Sequence, residues 1–502
     1  MRLPVEGGTG SNSDGDAPAV RSRGGLLRWI EGVIASGLAC LVVLVQTGCG
    51  APGPLAAWKP TTLDRPAVLT GAHMAADPPP PAEAGVLWYV GEAIESNPRI
   101  RAARQRVERL RARVPQAKAP LDPEASVTLG ELAQTAAGQI DFVIGLRQAM
   151  PFPGTLDARG EVARQEAIEA LHDLAAVVVE VAAETQRAFW SCVGAGREAA
   201  VLRETAALLA QIEAAVQARV RVGAGRQGDA LRVARERVAL ENEVSRVLRR
   251  RETSAAVLTR LLSRPVSEEP TAAELTWTVR EFDVDRLRAL ARSANPDAAA
   301  ARARVATFRQ RLKVARHERL PELRAGLQYG AVGDGLASGA NGDDQFAVTL
   351  GTTLPIWFEA DDAAEREALR GIAQSLAEVR AAEDRAAYLA DEALAEITTD
   401  QVVLQRLQTR LIPDSRQVVE LSLARYRTGE GDFLRLLDDW QVWLQDRRRE
   451  VQVAAGLHRA LVDLEAALAG PVPVPVPEPR AAIESDPVDA PPAAPPAEGA
   501  FP

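Results

Sequence analysis

Long apolar stripes at helical spacing, unbroken by proline, dominate the pattern of this 502-residue chain. The run from Asp157 to Val222 contains no Pro, and Glu359 to Arg427 repeats it with Gly371 and Pro413 as predicted kinks. At 1.5 Å per residue, the first run predicts a helix of about 100 Å. One chain offers few partners for the apolar side of such a rod, so we expect other chains to cover it.

Each long run ends in a glycine turn. Gly429 supplies the left-handed residue that commonly ends a helix, and Gly223 matches it in the first half. Asp432 is a good N-cap for the helix that follows. The pair Gly228-Asp229 is matched with Gly431-Asp432, which gives the first turn three extra residues. The pattern therefore predicts two long helical hairpins.

Between the helical runs, apolar and polar residues alternate with a period of two. This predicts four strands, near 124–132, 140–150, 322–331 and 344–354. One apolar and one polar face suit an ordinary half-buried sheet, and they suit equally the wall of a membrane barrel, with roughly 9–11 residues per strand. Four strands cannot close such a barrel, because the smallest have about eight.

The two halves of the chain echo each other. Asn97-Pro98 and Asn295-Pro296 are both typical helix starts, with Asn as N-cap and Pro at the first helical position. Each start leads to a helix, two strands, a proline-containing exit and a hairpin. We therefore divide the chain into a leader, a linker, two repeats and a tail: 1–48, 49–84, 85–269, 270–470 and 471–502.

The N-terminus has the layout of a secretory signal. Arginines precede a short apolar run at 37–45, and Gly48-Cys49 follow shortly after this run. Cys49 is the expected site of lipidation, although Gln46 departs from the aliphatic residue usual three positions earlier. A plain cleaved signal or an inserted anchor is the alternative. Proline-rich composition predicts a linker at 49–84 and an extended, disordered tail at 471–502.

Composition removes several classes of protein. Charged residues make up 25% of the chain and hydrophobic residues 47%, which excludes a bundle of transmembrane helices. A formal charge of −9 argues against nucleic acid as a partner. The segment from Gly223 to Gly228 reads GAGRQG, but a helix precedes it where a dinucleotide site needs a strand. We find no spacing typical of a metal site and no nucleophile–base set, so we expect neither cofactor nor enzymatic activity.

With these features together, the chain resembles the TolC-like outer-membrane efflux family. The paired Asn-Pro starts, the glycine turns and the segment from Arg147 to Leu156 (RQAMPFPGTL) carry the likeness, which covers roughly 86–469. The Pro-Phe-Pro-Gly exit is most similar to members that serve heavy-metal exporters. The resemblance implies a mainly α fold with a small β part, in which duplicated hairpins form a trimeric α-barrel and four strands per chain join a shared 12-stranded barrel.

The resemblance also implies partners and sites. It implies a homotrimer in outer-membrane lipid whose helices form a periplasmic tunnel, docked by a periplasmic adaptor and an inner-membrane pump. As the exit duct of a tripartite efflux pump or type I secretion-like system, the trimer would passively conduct substrates to the exterior, with metal ions or drugs as candidate substrates. The docking turns would be Val222, Gly223, Thr428 and Gly429. The periplasmic gate would involve Arg435 and Asp438, paired within or between protomers, although an acidic residue is usual where Arg435 stands. Combined with the alternation, it places these residues against lipid: Phe142, Ile144, Leu327, Phe346 and Val348. Arg147 and Arg324 would then face the lumen.

Two other classes share some of these features. A periplasmic coiled-coil adaptor also owns a long helical hairpin, but it should have one hairpin between β-rich domains. A coiled-coil scaffold would lack alternating strands between its helices. The duplication and the strands favour the channel over both alternatives.

Overall fold

The computed structural model describes residues 85–129, 134–135, 138–266, 275–333 and 343–473. The predicted leader, the lipidation site at Cys49, the linker up to residue 84 and the tail from residue 474 lie outside the described residues. So does the predicted end of the first strand at 130–132. Those expectations stay predictions.

Two successions of the same elements make up the described chain. The first comprises α1 (Val86–Ser96), α2 (Pro98–Lys118), β1 (Glu124–Leu129), β2 (Gln134–Thr135), β3 (Gly138–Met150), α3 (Thr155–Arg221) and α4 (Gln227–Leu262). The second comprises α5 (Val284–Ala294), α6 (Pro296–Glu318), β4 (Leu323–Gly333), β5 (Gln345–Thr352), α7 (Phe358–Arg406), a π-helical segment (Leu407–Leu411), α8 (Ile412–Thr428) and α9 (Phe433–Leu468). The returning helices α4 and α9 each contain 36 residues. The predicted fold, mainly α with a small sheet and duplicated hairpins, is confirmed.

The paired Asn-Pro starts have a second task that the sequence did not reveal. Asn97 caps α2 by accepting a hydrogen bond from the amide of Arg99 at 2.8 Å, and its Nδ2 donates to the carbonyl of Leu261 at 2.9 Å. Asn295 caps α6 in the same way, and its Nδ2 donates to the carbonyl of Ala467 at 3.4 Å. Each asparagine therefore joins the start of one helix to the end of the returning helix, whose last carbonyls need partners.

The strands form one antiparallel sheet in the order β1-β3-β4-β5, with the two-residue β2 paired to β3. Each predicted strand is present, with ends within a few residues of those expected. Within the described residues, β1 and β5 each pair on one side only, so the sheet has two open edges.

Each repeat has its own apolar core, in which a short helix packs on two long ones. In the first, Tyr89 of α1 meets Phe189 of α3 and Leu258 of α4. In the second, α5 packs on α7 and α9 through a cluster that includes Leu287 and Leu464. A third core joins the hairpins to each other near their turns. No described helix combines the length and the apolar character that crossing a bilayer requires.

The two predicted kinks have different outcomes. The α-helical ladder changes to π-helical at Leu407–Leu411, a segment that ends two residues before Pro413, whose missing N–H interrupts the ladder. At Gly371 the secondary structure does not change, because α7 continues through it as α-helix, and a bend there stays a prediction. This glycine makes room for a neighbour: a Cβ added there would lie 2.2 Å from Cδ1 of Phe308 on α6.

Candidate functional site

The two glycine turns lie at the ends of α3 and α8, as predicted. Gly223 has φ +73° and Gly429 has φ +91°, in the left-handed region that side chains rarely adopt. A Cβ at either position would meet nothing within 4 Å, so backbone conformation rather than lack of space requires glycine. Val222 is 78% exposed beside the first turn, and Thr428 is also exposed. Docking of a partner on these residues stays a prediction.

Each turn has a second glycine, and its hydrogen bonds show which residues of the two turns are equivalent. The amides of Ala224 and Gly225 donate to the carbonyl of Arg219, as those of Glu430 and Gly431 donate to the carbonyl of Arg425.

Gly225 is therefore the equivalent of Gly431, and the match of Gly228 with Gly431 was wrong. The separations agree, since 429 − 223 = 206 and 431 − 225 = 206, so the first turn has no extra residues. The reason for glycine is contact with the preceding helix: an added Cβ would lie 3.0 Å from the amide nitrogen of Val220 at Gly225, and 2.7 Å from that of Tyr426 at Gly431.

The start of the returning helix differs between the copies. Asp432 caps α9 as predicted, by accepting a hydrogen bond from the amide of Arg435 at 3.2 Å. The equivalent position before α4 is Arg226, whose side chain makes no capping bond. Asp229 lies within the first turn of α4, where its charge favours the positive end of the helix dipole.

Arg219, which is not among the predicted site residues, joins the two turns. Its Nη1 donates to the carbonyl of Tyr426 at 3.0 Å and its Nη2 to the carbonyl of Ala224 at 3.2 Å. The guanidinium also lies 4.7 Å from the centre of the Tyr426 ring. Tyr426 is 3% exposed, and burial raises the pKa of its hydroxyl. A basic residue in the last turn of a helix was the available signal.

The two predicted gate residues are both exposed on the first turns of α9. Arg435 and Asp438 are three residues apart, which puts them on one side of the helix. In the part of the chain that the structure describes they form no ion pair with each other, so the arrangement within one protomer is not seen. A pairing between protomers stays a prediction.

The sheet separates apolar from polar residues between its faces. Direct pairing puts Ile144 opposite Tyr329, and Tyr329 opposite Phe346, so these side chains share one face. That apolar face carries Ala125, Val127, Leu129, Phe142, Ile144, Leu146, Met150, Leu323, Ala325, Leu327, Tyr329, Ala331, Phe346, Val348 and Leu350, with Gln148 and Thr352 as its polar members. The opposite face carries Glu124, Ser126, Thr128, Gly145, Arg147, Arg324, Gly326, Gln328, Gly330, Gln345, Thr349 and Gly351, with Val143, Ala149 and Ala347 as its apolar members. All five residues expected against lipid lie on the apolar face, and both arginines on the other.

A buried carboxylate joins the two hairpins midway along the rods. The Glu198 side chain on α3 is 4% exposed. It accepts hydrogen bonds from Arg448 Nε at 3.1 Å and Nη2 at 2.9 Å, and from Arg250 Nη2 at 3.1 Å. Gln452 Nε2 donates to the same carboxylate at 3.1 Å. Glu198 therefore binds α4 and α9 at once, and its partners are too distant in sequence for any spacing to reveal them.

Known proteins share this architecture. The Pseudomonas putida pyoverdine export outer membrane protein OpmQ is 27% identical over 409 residues, which cover 74% of this chain and 83% of that protein. The outer-membrane channel OprN superimposes with a TM-score of 0.66 at 21% identity, covering 77% of this chain and 90% of that one. The Vibrio cholerae outer membrane protein VceC gives 0.65 at 16% identity, covering 77% and 97%.

A family model described as outer membrane efflux protein matches residues 89–264 and 287–470, one block in each half. The match includes both hairpins, the four main strands and the two Asn-Pro starts. The match excludes a periplasmic adaptor or a coiled-coil scaffold. The chain belongs to the outer membrane efflux protein family.

Proposed function

We propose that three copies of this outer-membrane efflux chain enclose one continuous duct, a β-barrel in the membrane above a tunnel of helices. The observation that carries the proposal is the two-faced sheet with open edges at β1 and β5. Twelve strands exceed the roughly eight needed to close a barrel, and joining the β5 edge of one copy to the β1 edge of the next leaves no edge unpaired. The apolar face then contacts lipid and the polar face water.

The short helices indicate which side of the helical wall is inside. Twelve long helices about 10 Å apart have a circumference of about 120 Å, which leaves a lumen about 28 Å wide. Copies of α1 and α5 from three chains would be six further helices, each about 10 Å thick, and they would fill that lumen. We therefore place α1 and α5 on the outer surface.

The glycine turns form the end of the tunnel farthest from the sheet in this arrangement. The exposed Val222 and Thr428 would contact the helical tip of a periplasmic adaptor, through which an inner-membrane pump delivers solutes. The channel conducts its cargo passively and catalyses no reaction. The export of pyoverdine by a relative supports soluble organic molecules as cargo, whereas the heavy-metal subclass stays a prediction.

Neighbouring residues on opposite faces of β5 provide the test. Val348→Arg puts a charge against lipid and should cost about 2–4 kcal/mol at mid-membrane, whereas Thr349→Arg should be mild because it faces water. The measurement is the yield of heat-modifiable trimer from outer-membrane fractions. Equal yields from both variants would contradict the assigned faces. A soluble monomer from the unaltered chain would contradict the duct itself.

A further inference from the structure

A cavity of about 340 Å³ lies where α3, α4 and α9 meet, beside the buried Glu198. Its size falls within the range of small-molecule sites. It is lined by Ser191, Gly194, Ala195, Glu198, Arg250, Thr253, Ser254, Val451, Gln452, Ala455 and Arg459. Small residues on α3 and α9 create the depression, because Gly194 faces Ala455 so closely that an added Cβ would lie 2.8 Å from it.

On α3, the residues that line the cavity lie on the side opposite to the one that packs against α1. Phe189 on α3 packs against α1, with its ring centre 5.3 Å from that of Tyr89. Glu198 follows nine residues later, and at about 100° per residue this is half a turn away. If α1 lies outside the tunnel, as proposed above, the cavity opens into the duct.

The polar groups of the cavity favour a negatively charged ligand. Glu198 is already saturated by Arg448, Arg250 and Gln452. Among the described residues, Arg459 forms no ion pair within 4 Å, and its Nε donates to the carbonyl of Ala455 at 3.3 Å. Its charge partly offsets the burial that raises the pKa of Glu396 on α7. The Arg250 side chain is 56% exposed and uses one nitrogen for Glu198. Two arginines against one carboxylate leave the lining with a net positive charge.

Three hydroxyl groups add acceptors around these arginines. Ser191, Thr253 and Ser254 each donate to a carbonyl of their own helix, at 2.7, 2.9 and 3.1 Å. Their oxygen lone pairs remain for a ligand that carries donors of its own. The cavity thus offers guanidinium donors to an anionic group and hydroxyl acceptors to the hydroxyl or amide groups of the same molecule.

We propose that this cavity is a binding site in the duct wall for small organic anions that carry a carboxylate and polar donors. The carboxylate pairs with Arg459 at the rim, and the rest of the molecule lies over Ser191, Thr253 and Ser254. The placement in the duct rests on the proposed function, whereas the binding itself does not. Such a site would favour anionic cargo over cationic cargo of the same size at the middle of the tunnel.

Fluorescence anisotropy of purified trimer tests the binding. Carboxyfluorescein is the anionic probe, and rhodamine 123, which has a similar ring system and a positive charge, is the matched control. Carboxyfluorescein should bind and rhodamine should not. Arg459→Gln should weaken binding about tenfold, the effect of losing one charge-assisted hydrogen bond. Arg449→Gln makes the same charge change on the exposed side of α9, away from the cavity, and should leave binding unchanged.

Equal weakening by Arg449→Gln, or equal binding of rhodamine 123, would overturn the site, and so would a trimer that conducts ions but does not bind carboxyfluorescein. In planar bilayers, carboxyfluorescein should reduce the single-channel current of the parent about tenfold more potently than that of Arg459→Gln. Binding without any reduction of current would overturn the placement in the duct. Failure of the proposed function is a separate result, since it appears as absent conductance before any probe is added.

Discussion

Replacing Glu198 with alanine should destabilise the helical part of the protein more than a substitution in an exposed ion pair would. The substitution removes four hydrogen bonds, three of them from arginines, and enlarges the cavity between α3, α4 and α9. Breaking a fully buried pair costs about 3–5 kcal/mol because a charge stays buried without a partner.

In Glu198→Ala the cost should be smaller, because neither arginine stays fully buried without a partner. The Arg448 side chain is 27% exposed and keeps Glu243, at 2.5 Å, while Arg250 can turn to solvent. We therefore expect a loss of about 2–4 kcal/mol, set mainly by charge-assisted hydrogen bonds worth about 1.5–3 kcal/mol each. Glu198→Gln keeps the shape and one accepting oxygen, so it should lose less.

Glu204→Ala is the matched control, since Glu204 lies on the same helix and pairs with Arg447 at 3.1 Å, but its side chain is 61% exposed. It should cost about 0–1 kcal/mol. Urea unfolding followed by helical circular dichroism at 222 nm gives both differences. If the losses of unfolding free energy in the two alanine variants agree within about 0.5 kcal/mol, the burial of Glu198 does not contribute the expected stability.

Three further predictions concern the turns and the seam between the repeats. Gly431→Ala should cost about 1–3 kcal/mol, because its Cβ would lie 2.7 Å from the amide of Tyr426, whereas Gly228→Ala meets nothing and should be neutral or stabilising by thermal denaturation. Arg219→Met should loosen the turns, seen as faster amide hydrogen exchange at 223–226 than in Arg221→Met; equal rates would contradict the cross-link. Burial, with a smaller effect of Arg280, lowers the pKa of His458, which stacks on Trp190 at 3.9 Å. The unfolded chain therefore binds more protons, so this contribution to stability is present above about pH 6.5 and is lost as pH falls. His458→Phe should flatten the decline of the melting temperature between pH 8 and pH 5, and an unchanged slope would refute the assignment.

Local periodicity was enough to predict the helices, the four main strands and the faces of the sheet. The caps at Asn97 and Asn295 followed from residue type and position alone. Residue type and position did not show which glycine of the first turn is equivalent to Gly431. Gly225 is distinguished from Gly228 only by its close approach to the backbone of Val220.

Contacts between distant residues were beyond the sequence for a related reason. Glu198 and Arg448 are 250 positions apart, and an isolated glutamate in an alanine-rich helix looks like a surface residue. Gly371 resembled a helix breaker because the Phe308 ring that fills its place lies on another helix. Such positions become visible only when the helices are packed.

The central claim is that three chains line one duct with the polar face of the sheet inward. The direct measurement is the single-channel current of the Thr349→Cys variant, with Cys192 replaced by Ala, during exposure to a charged, membrane-impermeant thiol reagent. We expect three equal downward steps, one for each chain, and no steps for Val348→Cys. Steps at position 348 but not at 349, or a number of steps other than three, would contradict it.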